Sequence, residues 1–156
     1  MFRRMRRFKQ ELTREETLSL LQTEKRGVLA VCGDDGYPYA VPMNFVLLDG
    51  AVYFHSAGEG HKLDALRRDE KACFTVYGND RQEPGEWWYH VSSAVVFGAL
   101  AVVTDPDEKL AALTALGNHY FPTPAHTQAE IRKDGARVTV LRLTVRHMTG
   151  KAVREN

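Results

Sequence analysis

The sequence predicts a mainly β protein, an antiparallel barrel with helices at its periphery, and three observations carry that expectation. Six β-rich apolar runs recur along the chain, tight-turn sequences separate the early ones, and the longest run, 87–103, is broken only by Gly98. With 156 residues, 44% of them hydrophobic, the chain is sized for one domain spanning 1–156. A domain of that size buries about 68–70% of its extended-chain surface on folding.

Taken in order, Thr13-Arg14-Glu15-Glu16 is a capping box that opens a helix running to about Gln22. Residues 27–32 form an apolar run too short for a helix, and Gly33-Asp34-Asp35-Gly36 turns it back as a hairpin. The next strand alternates Tyr39, Val41, Met43, Phe45 and Leu47 against Ala40, Pro42, Asn44 and Val46. Pro42 has no N–H to give a central ladder, which leaves backbone groups beside it free. Asp49-Gly50 makes a second tight turn into a strand at 51–55. A small-residue loop, Ser56 to Gly60, leads into a helix at 61–69, and a strand follows at 71–77. Residues 78–86 read as a solvent loop, and 87–103 as a strand bulged or bent at Gly98. Asp105 caps a second helix with Pro106 at its first position and Glu108 placed to complete the box, its buried stripe being Leu110, Leu113, Leu116 and Tyr120. A short helix at 128–133 precedes a last strand, 137–148, whose apolar phase shifts between Val140 and Leu141. That shift implies a bulge or a segment buried on both faces.

Charge excludes several functions. Lys and Arg number 21 against 20 Asp and Glu, so no global field draws the chain to nucleic acid or a membrane surface. Only the arm 1–10 is strongly basic, with Arg3, Arg4, Arg6, Arg7 and Lys9, and it reads as a solvated extension that packs on a partner subunit, ahead of a nucleic-acid tail or a targeting peptide. No window has the apolar length of a membrane span or a signal peptide, so a cytoplasmic protein is expected. Cys32 and Cys73 lie in apolar runs and read as buried reduced thiols. The histidines are too scattered for a metal site.

Chemistry concentrates in V-Y-F-H-S-A-G-E-G-H-K-L-D-A-L, 52–66. A phosphate at the start of the helix would meet free N–H groups, the positive end of the helix dipole, the Ser56 hydroxyl, His61 and the Lys62 ammonium. The glycines match neither G-x-G-x-x-G nor a P-loop, which limits such a site to a monophosphate. A plain loop with a helix behind it accounts for the same residues equally well. His55 ends its strand just before the loop, and an imidazole can hand over a proton at physiological pH.

Taken together, G-V-L-A-V at 27–31, G-Y-P-Y-A-V-P at 36–42, the 52–66 stretch, V-V-F-G at 95–98 and H-M-T-G-K at 147–151 resemble the nitroimidazole-resistance (Nim) proteins. These belong to the pyridoxamine 5'-phosphate oxidase-like, FMN-binding split-barrel superfamily, and the resemblance runs nearly the length of the chain. It implies a homodimer with two flavin sites at the subunit interface, and reduced FMN passing electrons to a small organic acceptor such as a nitro group, with NAD(P)H as a candidate donor. It further implies that Ser56, His61 and Lys62 hold the phosphate and that Pro42, Met43, Asn44 and Phe54 lie along the flavin ring. His55 then sits at the reactive edge as the catalytic residue, and the partner's H-M-T-G-K segment, through His147 and Lys151, closes the site. Val91-Ser92-Ser93 stands where members often carry aromatic-Arg-Ser, and the Gly85-Glu86-Trp87-Trp88 segment does not match the family pattern. A flavin-binding protein without turnover, for storage, sensing or sequestration, is the alternative.

Overall fold

The computed structural model describes residues 1–153. Seven strands form one antiparallel sheet: β1 (Arg26–Cys32), β2 (Pro38–Asn44), β3 (Val46–Leu48), β4 (Ala51–Ser56), β5 (Lys71–Arg81), β6 (His90–Val102) and β7 (Thr139–Ala152). Four helices surround it: α1 (Arg14–Thr23), α2 (His61–Arg68), α3 (Pro106–Tyr120) and α4 (Pro124–Asp134). The order across the sheet is β2-β1-β5-β6-β7-β4-β3.

That order fixes the overall shape. β2 and β3 are the two outermost strands of the sheet, yet a single residue, Phe45, joins them. The two edges must therefore meet there, so the sheet rolls into a barrel that stays split along β2 and β3. Phe45 is fully buried at the seam and packs edge-on against Phe74, which packs in turn on Phe54. Because the side-chain alternation from Tyr39 to Leu47 runs straight through Phe45, the sequence shows one strand where the fold has two.

The barrel core joins these phenylalanines to Leu29, Val52, Val76 and Val96, with Leu20 and Leu21 of α1 and Leu63 of α2 completing it. α1 begins as expected, with the Thr13 hydroxyl accepting from Glu16 N–H and the Glu16 carboxylate accepting from Thr13 N–H. A second, smaller cluster of Tyr53, Val103, Ala112 and Val140 fastens α3 to the outside of the barrel. Val140 and Leu141 thus face opposite cores and are both buried, which explains the phase shift without a bulge at that point.

The bulge lies further along. Phe97 pairs with His147 but Gly98 pairs with Val145, so Arg146 on β7 is the extra residue. Gly98 is the close approach that the bend requires, since a Cβ there would collide with the Thr144 carbonyl oxygen.

Several boundaries differ from expectation. β5 runs on to Arg81, and β6 begins at His90, beyond the tryptophans. Trp87 is 84% exposed and Tyr89 is also exposed, so neither packs the barrel. α4 starts at Pro124, four residues earlier than expected, where Thr123 caps it through its hydroxyl. Leu110 is 50% exposed, and Ala112 takes its place on the buried face of α3. The Asp105 cap holds, but the Glu108 carboxylate turns to Tyr53 Oη (2.9 Å) and Arg142 Nη1 (2.7 Å) and so ties α3 to β4 and β7. Burial, then the neighbouring Glu108 charge, raises the Tyr53 pKa and keeps its phenol a donor. The cysteines are free but not buried: Cys32 is exposed and Cys73 is half-buried. Both sit on the outer face of adjacent strands, away from the core that the apolar runs suggested.

Candidate functional site

β4 delivers His55 and Ser56 to one end of the barrel. Their side chains alternate, so His55 is exposed while Ser56 is only 7% exposed. Ser56 Oγ is buried without a hydrogen-bond partner. A hydroxyl held that way costs free energy unless something supplies the missing partner. Four residues on, Gly60 is the N-cap of α2 with φ of 128°, a conformation that favours glycine. The first N–H groups of α2 have no partner within the helix. Lys62 stands in this first turn, half-buried, with neither an ion pair nor a hydrogen bond. An orphaned hydroxyl, helix N–H groups and a free ammonium are the donor set that a phosphate monoester takes.

The His61 side chain is engaged elsewhere. Its ring stacks on Tyr39 at 4.1 Å, and Nε2 is buried 3.5 Å from Asp34 Oδ2 with no hydrogen bond formed. Arg68 grips the same aspartate at 2.6 Å. His61 therefore joins α2 to the β1–β2 hairpin and has its backbone N–H to offer a phosphate.

Pro42, Met43 and Asn44 end the edge strand β2, with Pro42 and Asn44 exposed and Met43 half-buried. Phe54 is fully buried against Phe74, so it supports β4 from the core and presents no ring to a ligand. His147 and Lys151 are far from Ser56 within the chain. Ser56 pairs with Thr139, and His147 lies eight residues further along β7, roughly 26 Å at the usual strand rise. His147 carries Phe2 stacked on its ring at 4.6 Å, so the basic arm folds back onto its own β6 and β7.

Sequence reasoning missed the other half of the site. Asn44 and His55 open onto a cavity of about 360 Å³ whose far wall is the α3–α4 hairpin. Tyr120 builds the corner between them. Its hydroxyl accepts from Phe45 N–H at 2.8 Å, and the Phe45 and Lys25 carbonyls lie within its reach as acceptors. At the seam of a split barrel no neighbouring strand can pair with Phe45, and the phenol supplies what the ladder lacks. Burial raises the Tyr120 pKa, opposed by the Phe45 backbone hydrogen bond and the Arg26 charge. We predict that Tyr120→Phe lowers stability by about 1–3 kcal/mol, because it strips partners from buried backbone groups. Urea denaturation measures this, and an unchanged midpoint would show that water replaces the phenol. The sequence signal for α4 was Thr123-Pro124, an N-cap followed by proline at the first helical position.

The architecture is an antiparallel split barrel with peripheral helices, and its interrupted seam carries the candidate site. Residues 13–152 match the pyridoxamine 5'-phosphate oxidase family, and the chain belongs to that family. No curated protein matches the sequence. Among solved structures the chain resembles a candidate 5-nitroimidazole antibiotic resistance protein from Bacteroides thetaiotaomicron, with 25% identity, 91% of this chain and 86% of that one covered, and a TM-score of 0.75. An FAD- and heme-binding protein from Mycobacterium smegmatis is also similar, at 25% identity, 94% and 74% coverage, and a TM-score of 0.76. An FAD-binding protein from Mesorhizobium loti, at 21% identity, 92% and 97% coverage and a TM-score of 0.70, shares the fold. Among the described residues no helix is long and apolar enough to cross a membrane.

Proposed function

We propose that the protein is an FMN-dependent reductase that passes electrons to a small organic acceptor, with a nitroimidazole-type nitro group as one candidate. The observation that carries this reading is the unpartnered Ser56 hydroxyl, buried four residues before the Gly60 N-cap of α2, whose first turn holds the unpaired Lys62. Family membership and the FAD- and heme-binding neighbour at 25% identity support its flavin-binding part.

In this reading Ser56, Lys62 and the first N–H groups of α2 hold the phosphate. Pro42, Met43 and Asn44 line the ring along the unpaired edge of β2. FMN bound there would supply the electron or hydride transfer. His55, exposed at the mouth of the cavity, orients the acceptor or gives it a proton.

The proposal includes a homodimer, supported by two observations. The outer face of β1, β2, β5 and β6 exposes Val28 (40%), Tyr77 (70%) and Phe97 (36%), together with Ala40 and Pro42. His147 and Lys151 lie on the outer side of β7, too distant to serve their own Ser56, and a second chain would bring them to it.

The test is optical. The purified protein should take up FMN and show its visible absorbance, which should bleach with reduced nicotinamide and recover with a nitro compound. Protein that takes up no FMN would remove the proposal. Flavin bound but never reduced would favour a storage or sensing role instead.

A further inference from the structure

The cavity between α3–α4 and the barrel seam has a composition that selects its occupant. At about 360 Å³ it is within the range of small-molecule sites. Leu113, Leu116, Phe121 and Ile131 give it apolar walls, and Tyr120 closes the seam side. Its carboxylates, Glu130 and Asp134, lie on the α3–α4 wall, while His55 stands on the opposite, barrel side. Asp134 is already matched by Lys133, whose Nζ lies 3.6 Å away. Glu130 is half-buried in the wall and has neither an ion pair nor a hydrogen bond. Of the nearby cations, Lys25 sits 5.9 Å from the Tyr120 ring centroid and Arg26 is close enough to act on the phenol, but neither lines the cavity.

A carboxylate set into an apolar wall repels an incoming anion, and its attraction for a cation or a strong N–H donor is strengthened by the low local polarity. Apolar walls that include the Tyr120 and Phe121 rings, around one such group, suit a planar ring bearing that donor.

We propose that this cavity binds a small planar molecule with a cationic or N–H-donating head held by Glu130, and that it excludes carboxylates and phosphates of the same size. Calling that molecule the acceptor rests on the flavin reading above; the charge selection does not. One consequence is a division of labour, in which the phosphate-binding end at Ser56 and Lys62 takes anions and the α3–α4 end rejects them.

The test uses benzamidinium and benzoate, which share a shape and differ in charge. Each is titrated into the full chain, without flavin and with FMN added, by calorimetry and by amide chemical shifts. The expected result is binding of benzamidinium at least tenfold tighter than benzoate, with shifts centred on Gly117, Ile131 and Gly135. E130Q should cut benzamidinium affinity about five- to tenfold, whereas D134N, whose carboxylate is already matched by Lys133, should change it less than twofold. Circular dichroism checks that both variants fold, and the wild-type ratio decides the matter even if one does not. Equal or tighter benzoate binding, no binding of either probe, or a ratio unmoved in folded E130Q overturns the proposal. Failure of FMN uptake sinks the reductase reading alone, because the probe titrations stand without flavin.

Discussion

Ser56→Ala is expected to make the flavin-free protein more stable and its FMN binding weaker. The two effects have opposite signs because the hydroxyl is buried with no partner inside the chain. Deleting an unsatisfied buried group relieves a penalty of about 1 kcal/mol, which raises Tm by roughly 2–4 °C in a chain of this size. The same deletion removes a hydrogen bond to a charged phosphate, about 1.5–3 kcal/mol, or more than tenfold in affinity. A purely structural serine would not behave this way, since its loss would lower stability and leave the cofactor alone. Lys62→Ala should weaken FMN about ten- to a hundredfold with little change in Tm, because the ammonium has no partner within the chain to lose. Lys62→Arg should restore much of that affinity, being cationic but differently shaped. Calorimetric unfolding and fluorescence titration with FMN measure both quantities. A Ser56→Ala protein that is destabilised and binds FMN normally would move the phosphate site elsewhere.

What could be read from the sequence depended on the range of the interaction that decides each feature. The Thr13 box, the Asp34-Asp35-Gly36 and Asp49-Gly50 turns and the α2 N-terminus are decided within a few residues, and all were found. Asp35, Asp49, Gly36 and Gly50 adopt the positive φ that such turns require. The seam could not be read, because Phe45 continues a perfect alternation while its backbone leaves one sheet edge for the other. Its partner, Tyr120, is seventy-five residues away. Glu108 misled for the same reason. Its position fits a capping box, but Tyr53 and Arg142, distant in sequence, compete for the carboxylate and win it. Gly98 marked a real irregularity, yet the extra residue, Arg146, lies on the strand opposite. The cysteines were misplaced because valine-rich runs in a barrel alternate between core and surface, and Cys32 falls on the outer phase. At the site, Ser56 and Lys62 were legible as a local motif. The cavity wall at Glu130 was not, since only the α3–α4 hairpin brings it to face His55.

His55→Ala is the second change with a large expected effect, and it separates binding from turnover. The His55 side chain is exposed on β4, outside the core and one residue before the buried Ser56 hydroxyl, so its removal opens no void in the barrel. FMN affinity and Tm should therefore stay close to wild type. Reduction of the acceptor should slow by about 10²-fold, the low end of what a positioned proton donor contributes. Following reoxidation of the prereduced protein by a nitro compound isolates this step from donor chemistry. If His55 works only by holding the acceptor, saturating acceptor should recover the rate; if it gives the proton, the loss should persist at saturation. His55→Gln keeps a hydrogen-bond donor without an imidazole's acid–base chemistry, and should rescue the first role and not the second. Unchanged reoxidation in His55→Ala would leave His55 no catalytic role and would shift attention to Asn44 and Tyr120, polar groups at the seam that line the same cavity.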